Sequence, residues 1–97
     1  MPFVSENTKN GIDFRLHDTA EEAVRYLLDE IGPDYADKFW ASDDGLRIER
    51  APGMTDFNIT VHNSIRSAAA AQMDLDLVAI PFALRALAEA VETYVEA

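Results

Sequence analysis

Ninety-seven residues with 48% hydrophobic content, five Phe, three Tyr and one Trp suffice for one domain with one core and are too few for two. A net charge of −10 sets the chain against direct contact with phosphate backbones or anionic lipid, and favours a basic protein surface as partner. With no cysteine, disulfides, thiol catalysis and zinc–thiolate sites are excluded.

The opening residues MPFVSENTKNG show neither a basic segment nor an apolar run, so no signal peptide is expected. No apolar stretch reaches the ~20 residues of a membrane helix. The cytoplasm is the expected location. Asn10-Gly11 is a two-residue hairpin signal, since both positions of a type I′ turn need φ > 0. After it, Ile12, Phe14 and Leu16 alternate with Asp13, Arg15 and His17, which predicts a half-buried strand. Phe3 and Val4 would begin its partner.

The segment 19–31 is predicted helical. Thr19 with Glu22 forms a capping box, and Ala20, Ala23, Val24, Leu27, Leu28 and Ile31 form one apolar stripe. Gly32 and Pro33 end it. Glu21 and Glu22 suit the positive end of the helix; Asp29 and Glu30 stand at its negative end and do not. PDYADKFWASDDG then reads as a short helix or a helical turn, with Tyr35 and Phe39 as i, i+4 neighbours. A second hairpin is expected from Leu46 and Ile48 on one strand and Phe57, Ile59 and Val61 on the other, with Pro52-Gly53 between.

Residues 64–80 send two signals. The Ala run favours a helix over 64–73. The alternation of Met73, Leu75 and Leu77 with Asp74 and Asp76 favours a strand, as does the restriction before Pro81, and the extended path is preferred. A terminal helix over 81–96 follows, with Leu84, Leu87, Ala88, Val91, Tyr94 and Val95 as its stripe. The predicted fold is α+β: one antiparallel sheet of about four strands, with helices 19–31 and 81–96 packed on one face.

The acid is unevenly placed. Residues 18–44 hold nine acids and two bases, while residues 1–17 balance. Within 27–45, six acids surround Tyr35, Phe39 and Trp40. Their spacing does not match a calcium loop, which needs oxygen ligands at fixed intervals. No Ser stands in a nucleophile elbow, and all four glycines serve as turn punctuation rather than a phosphate loop. His17 and His62 fall on strands and on their polar faces by parity. If those strands were neighbours, the two imidazoles and a carboxylate would make a metal or acid–base site, the basis of a small enzyme or metal-dependent accessory protein.

Aromatics ringed by charge have the composition of an interaction hot spot with a polar rim. Asp29, Glu30, Asp34, Tyr35, Asp37, Trp40, Asp43 and Asp44 are therefore the expected contacts of a non-enzymatic module that binds a basic protein, as inhibitor or adaptor. No cofactor or metal is expected. The alternative is a structural subunit that self-associates as a homodimer through Ala69, Ala70, Ala71 and the terminal helix. The short, acidic, Ala-rich, cysteine-free character is similar to that of small phage-encoded host-modulating proteins and toxin-neutralising immunity proteins. That likeness is one of composition; it implies a binding role and assigns no residue.

Overall fold

A computed structural model describes residues 2–53 and 58–97. The fold is α+β, with two small antiparallel sheets and three α-helices among the described residues. Strands β1 (Phe3–Asn7) and β2 (Asp13–His17) form the expected hairpin. Its register pairs Asn7 with Asp13, so the connection is five residues long rather than two. Gly11 sits in it at φ 93°, a conformation that favours glycine.

Helix α1 (Ala20–Ile31) matches its prediction closely. The Glu22 amide donates to Thr19 Oγ1 at 3.1 Å, the first bond of the capping box, while the Glu22 carboxylate reaches back one residue further and accepts from the Asp18 amide at 3.2 Å. Gly32, at φ 110°, caps the other end by donating its amide to the Leu28 carbonyl at 2.8 Å. Thr19→Ala removes one cap bond and is expected to cost about 1 kcal/mol of stability. Urea unfolding checks this, and an unchanged midpoint would mean that the cap is redundant.

After a 3₁₀ turn (Pro33–Tyr35), strand β3 (Phe39–Ala41) pairs with β4 (Ile48–Arg50) in a two-stranded ribbon. Of the short helix or helical turn expected over PDYADKFWASDDG, the turn is found at Pro33–Tyr35, and the rest is corrected to a strand and its following turn, in keeping with the β preference of Phe-Trp. The second predicted hairpin is also corrected. Ile48 pairs back onto Ala41, whereas β5 (Ile59–His62) pairs antiparallel with β1 and gives the sheet order β2-β1-β5. Leu46 lies in the β3–β4 turn and is exposed, not on the sheet's inner face. Phe57 lies outside the described residues.

The preferred extended path for 64–80 is replaced by the helical reading. Helix α2 (Ile65–Gln72) starts at Ser64, whose hydroxyl accepts from the Ser67 amide at 3.0 Å. Turns through residues 73–79 lead to α3 (Ile80–Glu96), with Pro81 in its first turn, where proline is tolerated. The buried face of α3 is rotated from the predicted stripe. Ala83 and Leu87 are buried, while Ala88 and Val95 face outward. Small Ala86 and Ala90 pack against the layer of Val4 and Phe14.

The helices do not share one face. Successive side chains of β1 point to opposite sides of the sheet. Val4 packs with Phe14, Ala68 and Leu87 beneath α2 and α3. Phe3 packs with Ala20 and Ala23 beneath α1. Val24, Leu27 and Phe39 extend that second layer to the ribbon. As the central strand of three, β1 needs burial on both faces, and the adjacent Phe3-Val4 pair supplies it.

Candidate functional site

The eight residues expected at a partner surface fall in three places. Asp29 and Glu30 occupy the last turn of α1, which contains no basic residue. Asp34, Tyr35 and Asp37 follow on and just after the 3₁₀ turn. Trp40, Asp43 and Asp44 belong to the β3–β4 ribbon.

The first group is an acidic end. Asp29, Glu30 and Asp34 are exposed and make no ion pair or side-chain hydrogen bond among the described residues. Carboxylates at a helix C-terminus face the negative end of its dipole, so nothing local rewards Asp29 and Glu30. Asp37 has Lys38 at 3.9 Å, a loose surface pair. Tyr35 is half-buried in the layer of Val24, Leu27 and Phe39, so its ring is first a core element. Glu30 and Tyr35 also border a cleft of about 220 Å³ with Asn7, Lys9, Asn58 and Ile59.

The ribbon residues have local work. The Ser42 hydroxyl donates to Asp44 Oδ1 at 2.6 Å and the Leu46 amide donates to it at 3.0 Å, which closes the turn around Gly45. These bonds, the Ser42 hydroxyl first, hold the Asp44 carboxyl below the ordinary aspartate value. Arg47 lies 3.8 Å from Asp44 and 3.1 Å from Glu49. Trp40 is 43% exposed, and its Nε1 donates to Glu49 Oε2 at 3.0 Å. It projects from the side of β3 opposite Phe39, hence away from α1. Asp43 is exposed beside it.

The two histidines do not converge. His17 pairs with Phe3 and His62 with Val4, so they lie on opposite faces of the sheet. His17 Nε2 is 2.9 Å from the Ser5 hydroxyl, and its ring is 5.2 Å from that of Tyr26. Burial lowers its pKa from the ordinary 6.5. His62 Nε2 is 3.0 Å from Glu6 Oε1, and since a carboxylate only accepts, the imidazole hydrogen is on Nε2. Among the described residues no three His, Asp or Glu side chains are grouped to hold a metal ion.

Two features escaped sequence reasoning. One is a polar cluster under α2, where Gln72, 1% exposed, donates to Glu6 Oε1 at 2.6 Å and to the Ala68 carbonyl at 3.0 Å. Glu6 and Gln72 are too far apart in the chain for local pattern to join them. The other is an apolar ridge between α2 and α3: Met73, Leu75, Leu77, Val78 and Phe82 are all exposed, Leu77 by 86%. The strand-like alternation in that stretch pointed to half-burial. Five large apolar side chains so close together were the available signal for a contact surface.

No protein-family model matches the chain, and no curated protein or solved structure shows significant similarity to it. Among the described residues no helix is long and apolar enough to cross a membrane.

Proposed function

We propose that this protein is a non-enzymatic, cytoplasmic binding module that acts on another protein, as an inhibitor or adaptor, and that its partner presents a basic surface. The observation that supports this reading best is the acidic end of α1. Asp29 and Glu30 stand exposed in its last turn, where the helix dipole disfavours them, and the exposed Asp34 follows just beyond; none of the three has an ion pair among the described residues. Such charge is costly to the fold and useful for steering a cationic partner, chiefly through the association rate. The apolar ridge at 73–82 fits the same class of function, since exposed apolar clusters of this kind mark protein contacts.

The test compares wild type with the double variant Asp34→Lys/Asp37→Lys, immobilised side by side and challenged with lysate in rising salt. Both side chains are exposed, so stability is expected to change by no more than about 0.5 kcal/mol. A protein retained by wild type and lost by the folded variant supports the reading. Equal retention of every bound protein by the two would remove it.

A further inference from the structure

Strand β2 is an edge of the three-stranded sheet, with β1 on one side and no strand on the other among the described residues. Beside it runs a cleft of about 610 Å³ whose walls include Phe14, Leu16, Ala86, Ala90, Thr93 and Tyr94. An edge with unpaired backbone groups next to an open groove is a template for one more strand.

The sequence of that edge is its own complement. Around Phe14, Asp13 and Arg15 carry opposite charges on one face, and Ile12 and Leu16 are apolar on the other. The geometry points to a second copy of this chain as the occupant, paired antiparallel through β2 about a two-fold axis at Phe14. In that register Asp13 of each copy stands opposite Arg15 of the other, and Ile12 opposite Leu16. The contact is isologous, so the Asp13–Arg15 charge pair forms twice by symmetry. Residues directly opposite in antiparallel strands share a face and have Cβ atoms about 5 Å apart. Charge also selects the register. A slide of two residues either way would set Asp13 against Asp13 or Arg15 against Arg15, and like charges directly opposite are destabilising. The two side chains are available for the exchange. They are 58% and 60% exposed; within one chain they make a loose surface pair at 3.5 Å, and the Arg15 guanidinium also lies 5.1 Å from the centre of the Tyr26 ring, a contact on the same face that an Asp13 of the second copy leaves in place. The product is one continuous six-stranded sheet with no β2 edge.

This inference does not depend on the basic-partner reading, and its test is separate. Two copies of net charge −10 repel at long range, so sedimentation is measured at 0.15 M salt, where charges beyond about 8 Å are largely screened. Wild type is expected to sediment as a dimer. Arg15→Asp is expected to raise the dimer dissociation constant at least about tenfold. The swap Asp13→Arg/Arg15→Asp restores complementarity and is expected to recover the dimer. The native chain has no cysteine, so a mixture of Asp13→Cys and Arg15→Cys chains is expected to form a 13–15 disulfide that neither forms alone. A wild-type monomer up to millimolar concentration overturns the proposal. So does an Arg15→Asp variant that dimerises as wild type does, or a swap that fails to recover the dimer. Equal cross-linking of the cysteine variants alone and mixed overturns the register.

Discussion

Replacing Phe39 with alanine is expected to lower the unfolding free energy by about 3–5 kcal/mol, while the same change at the adjacent Trp40 costs about 1 kcal/mol or less. The contrast follows from the strand. Neighbours in β3 point to opposite sides. Phe39 is 6% exposed and seals the ribbon against Val24 and Leu27 of α1. Its truncation removes buried surface and leaves a cavity that α1 closes only in part. Trp40 is 43% exposed and has one solvent-facing hydrogen bond, to Glu49. Water replaces much of what its removal takes away. Urea unfolding followed by circular dichroism reads both variants on one scale. Equal costs would contradict the assigned facing of β3. A large cost at Trp40 alone would place that ring, rather than Phe39, in the core.

The same pair shows what the sequence carried about the candidate site. Composition drew attention to Tyr35, Phe39 and Trp40, and the strand geometry of β3 then sets Phe39 inward and Trp40 outward. Helix α1 was legible down to its caps because Thr19, Glu22 and Gly32 act within one or two turns of chain. The parity of β2 was legible for the same reason. Pairing partners were not. Ile48 met Ala41 rather than the 57–61 segment, and β5 crossed to β1; neither choice has a local signature. The facing of the helices depended on β1 being central, a property of the whole sheet. Only the contiguous Phe3-Val4 pair hinted at burial on both sides.

The α2–α3 region failed for a more instructive reason. Met73, Leu75 and Leu77 alternate with Asp74 and Asp76, which is the period of a half-buried strand. Periodicity reports burial only where one side of the segment has something to pack against. Here the segment turns a corner between two helices, and the apolar side chains stay in solvent. An alternating pattern with no sheet beside it is thus better read as a surface. The acidic candidates divide in the same way. Asp44 holds a turn and Tyr35 fills the core layer, whereas Asp29, Glu30 and Asp34 have no structural duty among the described residues. Composition located the charge, and only the structure separates the carboxylates that build the fold from those left for a partner.

Gln72→Met is expected to lower stability by about 1.5–3 kcal/mol at pH 7, because it removes a hydrogen bond to a charged group from a buried position. Methionine keeps the length and the unbranched shape, so the loss reports the amide more than the volume. Gln72 and His62 both meet Glu6 at Oε1, from α2 and β5 respectively. The His62 hydrogen bond first, and the Gln72 bond after it, hold the Glu6 carboxyl below the ordinary glutamate value of 4.5, against the opposing effect of burial. A carboxylate with a lowered pKa in the fold adds stability that is fully present above its unfolded value. That stability fades as pH falls below 4.5 through the folded pKa, since the unfolded chain then binds more protons. Removing the Gln72 bond moves the folded pKa back towards 4.5, so the variant has less of this stability to lose. The gap between wild type and variant is therefore expected to be widest at neutral pH and to narrow on acidification through that window. Urea midpoints collected from pH 7 downward measure it. A gap of constant size would mean that Gln72 acts by packing alone, and that the short contact to Glu6 does not depend on the carboxylate's charge.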